Sequence, residues 1–137
     1  MSKKGFSLVE LLVVFGILGI FAAIILVAIN PGRKLANARD AERRNDIVAI
    51  SDAFHQYLIE NNDKLPEGFP SASTCIGNVS ECFNLAEVLV PTYLAYVPED
   101  PLTGTSANTQ YLINIEDDGR VVIRASGEIA QEIVVAR

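Results

Sequence analysis

Histidine and cysteine are scarce in this chain of 137 residues, which contains one histidine and two cysteines. A structural zinc site takes four ligands, mostly cysteine and histidine, so the sequence holds too few for such a site. The single histidine, His55, has no cysteine or serine nucleophile at a suggestive spacing. We therefore expect no catalytic residue, no metal ion and no cofactor, and the sequence does not indicate an enzyme.

Basic residues are few in the second half of the chain. Residues 63–137 hold 4 basic and 11 acidic groups, a net charge of −7, whereas residues 1–62 hold 7 basic and 6 acidic groups, a net charge of +1. Proteins hold phosphate backbones mainly with lysine and arginine, so the acidic half argues against a nucleic-acid partner. Residues 33–46 interleave both signs without an aromatic residue, which is typical of a solvated helix face or a seam of salt bridges.

Proline and glycine are absent from residues 33–61, and this absence favours an uninterrupted helix. The segment Asn30-Pro31-Gly32 comes just before it. Either the preceding helix ends there, or the helix bends and resumes at Arg33; we expect the bend, because the following residues are strongly helical. Apolar residues at helical spacing give the predicted helix one face that should pack against the rest of the domain: Ile47, Ile50, Phe54, Tyr57 and Leu58.

Polar side chains are missing altogether from residues 11–29. A helix of this length, extended by the apolar residues before it, spans hydrocarbon about 30 Å thick. Glu10 is the one ionisable group, and it lies close to the start of the run. A carboxylate in a membrane segment costs roughly 2.5–3.5 kcal/mol, so we expect Glu10 to have a partner or a function.

The residues before the apolar run have the form of a processing signal. Lys3 and Lys4 precede a small residue, Gly5, and an aromatic residue, Phe6. An ordinary secretory signal is the competing interpretation, but its apolar region is usually about 7–15 residues long and ends at a small-residue cleavage site. The longer run and Glu10 disfavour that interpretation.

Residues 4–14, Lys-Gly-Phe-Ser-Leu-Val-Glu-Leu-Leu-Val-Val, resemble the prepilin signal of type IV pilins and of type II secretion pseudopilins. Every functional position of the motif is filled. The resemblance implies that a membrane prepilin peptidase cuts after Gly5 and methylates the new amine on Phe6. It also implies that Glu10 is the assembly residue and that Lys3 and Lys4 are the leader charges.

Elementary electrostatics agrees with this role for Glu10. Cleavage would leave a charged amine on Phe6, about one helical turn before Glu10. In an isolated subunit the two charges pair poorly, whereas in a stack of helices the amine of one subunit can meet Glu10 of its neighbour. Opposite charges in a low dielectric are strongly favoured over two unpaired charges, so the pair would set the register of a polymer. The alternative is that Glu10 reaches the lipid headgroups from a plain membrane anchor.

The residues after the predicted helix have the composition of a loop followed by strands. Residues 66–84 are rich in proline, glycine and small polar residues, and Asn84 is positioned to cap a short helix over residues 85–90. Cys75 and Cys82 lie in this loop. Their even number and short spacing suit a disulfide in an oxidising compartment, and the alternative is two reduced thiols.

Three strands are predicted at residues 110–115, 120–125 and 129–136, with turns at 117–119 and 126–128. A meander this small cannot build a large core by itself, so the amphipathic helix must supply its other layer. We therefore predict an α+β fold in which a long N-terminal helix packs on a three-stranded antiparallel sheet, a layout that resembles pilins.

A second, weaker resemblance lies before the strands. Val97-Pro98-Glu99-Asp100-Pro101, followed by Gly104 and Tyr111, is similar to the segment before the sheet of major pseudopilins. Those proteins carry a longer calcium-binding loop rich in glycine and aspartate, from which this chain departs. The acidic residues Asp100, Asp117 and Asp118 invite a calcium assignment, but hairpin-turn chemistry accounts for the last two.

We expect four parts: a leader (1–5), a transmembrane and polymerisation helix (6–30), an amphipathic helix half (31–62) and a globular head (63–137). Counting lysine and arginine on either side of the span would leave the head in the cytoplasm. The cysteine pair and the pilin resemblance put it outside. We follow the resemblance and expect a single-pass protein of the cytoplasmic (inner) membrane that later enters an extracellular or periplasmic filament.

The resulting hypothesis is a structural subunit of a type IV pilus-like filament, whose partners are the prepilin peptidase and methyltransferase, an inner-membrane assembly platform and further copies of the chain. One alternative is a pseudopilin of a type II secretion or DNA-uptake system. Another, of a different class, is a membrane-anchored binding domain that never polymerises.

Overall fold

The computed structural model describes residues 5–137, so the leader charges Lys3 and Lys4 lie outside the described residues. The chain forms two compact units, one that ends at Leu35 and one from Ala36 to Arg137. In chain order the elements are α1 (Leu8–Ile29), α2 (Pro31–Glu60), β1 (Thr74–Cys75), α3 (Leu85–Leu89), β2 (Tyr111–Ile115), β3 (Val121–Ser126) and β4 (Glu132–Ala136).

Helix α1 is apolar on every side, and none of its 22 residues is buried. Its sequence includes an 18-residue window with a mean hydropathy of 3.2, long and apolar enough to cross a membrane. A helix that is hydrophobic all round needs lipid or other helices around it. The sequence predicts a helix that could span a membrane, and α1 is such a helix. Its apolar side chains are not buried by the other described residues.

Asn30 separates α1 from α2. Its backbone is left-handed, with φ of 44°, and this conformation ends α1. The Oδ1 atom of Asn30 accepts a hydrogen bond from the backbone N–H of Arg33 at 3.3 Å, as the cap of a new helix does. Pro31 occupies the first position of α2, where its missing N–H is tolerated. The helix thus resumes at Pro31, two residues earlier than predicted, because Asn30 makes the interruption.

The sheet has four antiparallel strands in the order β1-β2-β3-β4. The α+β class is confirmed, but the prediction of three strands is wrong. The additional strand, β1, pairs Thr74 with Ile113 of β2 and lies inside the segment predicted to be a loop. A strand of two residues has no alternation to detect in the sequence, and its partner is distant along the chain.

The remaining boundaries differ by small shifts. Strand β4 begins at Glu132 rather than Ile129, because residues 127–131 form the connection from β3. Gly127 is required in that connection, since a Cβ atom there would lie 2.2 Å from the carbonyl oxygen of Ala130. Asn84 does precede α3, but its side chain donates to Glu87 Oε1 at 2.7 Å instead of capping a backbone N–H.

The core lies between α2 and the sheet. Ile47, Ile50 and Phe54 of α2 are almost completely buried, and Tyr57 and Leu58 pack against the same cluster. The predicted apolar face of the helix is therefore confirmed. The strands contribute the other side of the cluster through Tyr111, Ile113, Val121, Ile123, Ala125 and Ile133.

Cys75, the last residue of β1, forms a disulfide with Cys82, with an S–S distance of 2.04 Å. The bond closes a short loop, which is also held by backbone hydrogen bonds from Phe83 N–H to the carbonyl of Cys75 and from Gly77 N–H to the carbonyl of Phe83. The loop that contains β1 is thereby fixed to the segment before α3.

Candidate processing and assembly site

The residues of the candidate processing site, Gly5 and Phe6, are exposed and precede the first helix. The side chain of Phe6 is 73 % exposed. No atom lies within 4 Å of a Cβ built on Gly5, so the fold of the described residues does not require a glycine there. Both residues are exposed, and nothing in residues 5–137 imposes a small side chain at position 5.

Glu10 lies in the first turn of α1. The helix begins with a hydrogen bond from the N–H of Leu11 to the carbonyl of Ser7 at 3.2 Å, and the Ser7 side chain makes no capping bond. The first N–H groups of a helix carry a partial positive charge, which favours a carboxylate at this position. Within residues 5–137 no basic group lies within ion-pairing distance of Glu10.

The structure brings Gly5, Phe6 and Glu10 together at one end of α1, as their spacing requires. Farther along the same helix, Gly16 and Gly19 are equally open, because an added Cβ would meet no atom within 4 Å at either position. Glycine weakens an isolated helix but permits close approach of a second helix. The features of α1 that look costly in a single chain are therefore those that suit helix–helix contact.

A second group of charged residues lies on α2, within the unit from Ala36 to Arg137. Asp40 accepts three hydrogen bonds from the connection before β4, from the backbone N–H groups of Glu128 (2.8 Å), Ile129 (2.9 Å) and Ala130 (3.1 Å). Burial raises the pKa of Asp40, but these donors and the Arg43 guanidinium outweigh that effect and hold the pKa well below its ordinary value. Asp40 is therefore an ionised anchor for this turn.

Arg43 connects three carboxylates. Its Nε donates to Asp100 at 2.5 Å, and its Nη1 donates to Asp40 and to Glu128, each at 2.9 Å. The side chain of Arg43 is only 4 % exposed. A buried guanidinium needs compensation of this kind, and here three segments of the chain provide it. Arg39 adds a two-pronged contact to Glu128 at 2.5 and 2.6 Å.

Asp100 is one of the three acidic residues that invite a calcium assignment, and in the structure it makes hydrogen bonds with protein groups. Besides Arg43, it accepts backbone hydrogen bonds from Leu102 at 2.9 Å and Thr103 at 3.0 Å. Burial raises its pKa, but the hydrogen bond from Arg43 and the two amides lower it to about 2. Gly104 closes the same turn, because a Cβ there would lie 2.2 Å from the nitrogen of Asp100.

The other acidic candidates lie in the turn between β2 and β3. Asp118 accepts hydrogen bonds from the backbone N–H of Arg120 at 3.1 Å and from its Nε at 2.6 Å, as the predicted turn chemistry requires. The Arg120 amide is the main cause of a lowered pKa at Asp118. Within residues 5–137, no three histidine, cysteine or acidic side chains are grouped closely enough to hold a metal ion.

Asp100 and Tyr111, both part of the motif around residues 97–111, each contact a charged residue of α2. Asp100 reaches Arg43 of α2, and the buried Tyr111 donates its hydroxyl to Asp46 of α2 at 2.7 Å. Burial, and then Asp46, raise the pKa of Tyr111. For residues 33–46 the sequence left open a solvated helix face or a seam of salt bridges. The structure shows salt bridges at Arg39 and Arg43, whose partners the sequence did not predict. Nothing in residues 33–46 indicates Asp100, Tyr111 or Glu128 as partners, because these residues come 57 to 89 positions after the α2 residues they contact.

The comparisons with known proteins concern the N-terminal part of the chain. Residues 1–26 match the family model for the prokaryotic N-terminal methylation motif. No curated protein and no solved structure matches the chain.

Proposed function

We propose that this chain, which carries at residues 1–26 the methylation motif of type IV pilins and pseudopilins, is a structural subunit of a type IV pilus-like filament. In this proposal a prepilin peptidase cuts after Gly5 and methylates Phe6. Subunits then assemble through α1, with Glu10 of one copy paired to the N-terminal amine of a neighbour. The family of the motif is structural rather than enzymatic.

One observation supports assembly most strongly: α1 exposes a large apolar surface on all sides, and Glu10 at its start has no ion-pair partner within residues 5–137. In water, burying about 20 apolar side chains at roughly 1.5–3 kcal/mol each would be ample for cohesion. In lipid the gain is much smaller, because the surrounding tails are equally apolar. Transfer from membrane to filament therefore needs a specific attraction, which the pairing of Glu10 with an amine supplies.

The same observations support a location. An apolar N-terminal helix with a methylation motif fits membrane anchoring. We propose that the subunit first spans the cytoplasmic membrane once, with its head outside, where an inner-membrane assembly platform moves it into the filament. Residues 1–5 would be the leader, residues 6–30 the transmembrane and polymerisation helix, residues 31–62 the amphipathic helix half and residues 63–137 the globular head.

Two alternative functions remain to be distinguished from a pilus subunit. One is a subunit of a different filament, and the other is a protein that forms no filament. A pseudopilin of a secretion or DNA-uptake system would use the same processing and the same helix contacts, and would differ in where the filament ends. A membrane-anchored binding domain would be processed or anchored but would not polymerise.

Replacement of Glu10 by alanine in the full chain separates polymerising from non-polymerising proteins. We expect Glu10→Ala subunits to accumulate in the membrane and to be lost from sheared filaments. Glu42→Ala is the matched control, because Glu42 is an exposed glutamate on α2 without an ion-pair partner among residues 5–137. Equal incorporation of the two variants would contradict the proposal.

Mass spectrometry of the mature N-terminus tests the processing step. A chain that begins with methylated Phe6 is expected. An intact leader on mature protein at the cell surface would show that the proposed cleavage does not occur.

A further inference from the structure

The head contains an apolar cavity of about 260 Å³ that no part of the function above uses. Its walls come from the loop after β1, from α3, from the segment that follows α3 and from residues 106–109. This volume is below the range of about 300–1,000 Å³ typical of small-molecule sites, so it suits a side chain better than a cofactor. Its main lining residues are Ile76, Leu85, Val90, Tyr96, Val97 and Glu99.

The walls of the cavity are fixed by backbone contacts. Thr109 donates both its N–H and its hydroxyl to the carbonyl of Ile76, each at 2.9 Å, and Asn78 N–H donates to the carbonyl of Ser106 at 3.1 Å. At Gly77 the chain passes so close that a Cβ would lie 2.1 Å from the carbonyl oxygen of Ala107. The cavity is therefore formed before any partner arrives, which lowers the entropy cost of binding.

Glu99 is the one charged side chain in the lining of the cavity. Within residues 5–137 it has no basic group within 4 Å. Tyr96 beside it is 73 % exposed and offers an aromatic wall. An apolar cavity with a carboxylate and an aromatic ring at its margin fits an apolar side chain that has a cation next to it.

The first turn of α2 has that combination. Leu35 is 59 % exposed although it lies outside the apolar run, and Arg33 and Lys34 beside it are exposed. Within residues 5–137 neither cation has a carboxylate within 4 Å. These residues follow α1 directly in the chain, and they supply both an apolar side chain and the adjacent cations that the cavity and Glu99 would accept.

We infer that the cavity receives Leu35 of a second copy of this chain, with Lys34 of that copy beside Glu99. This inference rests on the proposed filament and names the contact between a head and the helix of its neighbour. The net charge of −7 on residues 63–137 supports a cationic partner. The exposed leucine, which costs free energy in water, becomes buried in the assembled state.

Cysteine cross-linking between two kinds of subunit tests the contact. Full-length Leu35→Cys and Tyr96→Cys chains are co-expressed, filaments are sheared, and disulfide formation is driven with copper phenanthroline. Because each chain carries one added cysteine, only a contact between subunits gives a mixed dimer on a non-reducing gel. We expect mixed dimers from this pair and none when Ile129→Cys, an exposed position outside the cavity, replaces Tyr96→Cys.

Charge exchange gives a second readout. Lys34→Glu and Glu99→Lys alone should each lower filament yield about tenfold, equivalent to about 1.4 kcal/mol per contact. The two together should restore it, whereas Arg44→Glu with Glu99→Lys should not. Rescue by the Arg44 exchange would overturn the assignment of the partner residues.

The outcomes also separate this inference from the proposed function. If the Leu35→Cys and Tyr96→Cys chains assemble into filaments but give no mixed dimers, the cavity contact is overturned and filament assembly stands. A wild-type chain that never forms filaments would overturn both. If Lys34→Glu removes the subunit from the membrane rather than from filaments, lipid headgroups are its partner and the inference is wrong.

Discussion

Arg43 and Asp100, which are 57 positions apart in the chain, form a buried ion pair with an Nε–Oδ2 distance of 2.5 Å. Their side chains are 4 % and 7 % exposed. The pair joins α2 to the turn that precedes the sheet, and the contacts of Arg43 with Asp40 and Glu128 extend it to the connection before β4. One guanidinium therefore connects α2 both to the turn at Asp100 and to the connection before β4.

Replacement of Arg43 by methionine tests this arrangement. The change leaves Asp40 and Asp100 without their cation, and removal of one partner from a buried ion pair costs about 3–5 kcal/mol. We expect the free energy of unfolding, measured by denaturant titration of the full chain in detergent, to fall by that amount. Arg44→Met is the control, because Arg44 is exposed and has no ion pair among the described residues; its change should stay within about 0.5 kcal/mol.

Acid should weaken the same seam in a defined pH range. The folded-state pKa of Asp100 is about 2, below its ordinary value of 3.8, so the ionised form favours the folded state. That contribution is complete above about pH 4 and is lost as the pH falls through about 2. Glu128, whose pKa the hydrogen bonds from Arg39 and Arg43 lower to about 2, follows the same course.

The measurement is the denaturation midpoint of the full chain between about pH 7 and about pH 2. Wild-type protein should change little down to about pH 4 and then lose stability. Asp100→Asn should be less stable at neutral pH and should decline less in acid. An identical pH profile for the two proteins would show that Asp100 does not carry the effect.

Tyr111→Phe isolates the hydroxyl contact with Asp46. The ring is fully buried and phenylalanine keeps its shape, so the change removes little besides one hydrogen bond to a charged group. Such bonds contribute about 1.5–3 kcal/mol, and we expect a loss of that size in the free energy of unfolding. Tyr96→Phe, at an exposed ring, should leave stability unchanged.

The parts of the fold that were predictable are those with a local signal. The spacing of nearby residues predicts the apolar run of α1, the apolar face of α2 and the turn between β2 and β3. Asn30 as the break between helices was only partly visible, because proline and glycine next to it looked like the cause. Helix propensity placed the helices but not the residue that divides them.

The parts that were not predictable depend on distant partners. Strand β1 forms because Thr74 pairs with Ile113 of β2. Asp40 holds the connection before β4 because it accepts a hydrogen bond from the backbone N–H of Glu128. The residue types at Thr74 and Asp40 do not predict which distant residues they will contact. At the candidate processing site the situation is reversed, since Gly5, Phe6 and Glu10 lie in a motif of residues 1–26 that is recognisable from neighbouring residues alone.

Removal of the disulfide by a double change, Cys75→Ser with Cys82→Ser, should destabilise the head. A loop of about eight residues closed by a disulfide contributes on the order of 2.5 kcal/mol through the unfolded state. The denaturation midpoint of the oxidised wild type should therefore exceed that of the variant, and reduction should bring the wild type close to it. A variant as stable as the oxidised protein would contradict this expectation.

The face of α2 that meets the sheet is charged at Asp40 and Arg43 and apolar from Ile47 to Phe54. These two parts respond differently to temperature. Cooling weakens the attraction between apolar groups, whereas heating lowers the penalty for removing ions from water. A subunit fastened by both parts keeps one of them effective when the surroundings turn cold and the other when they turn hot.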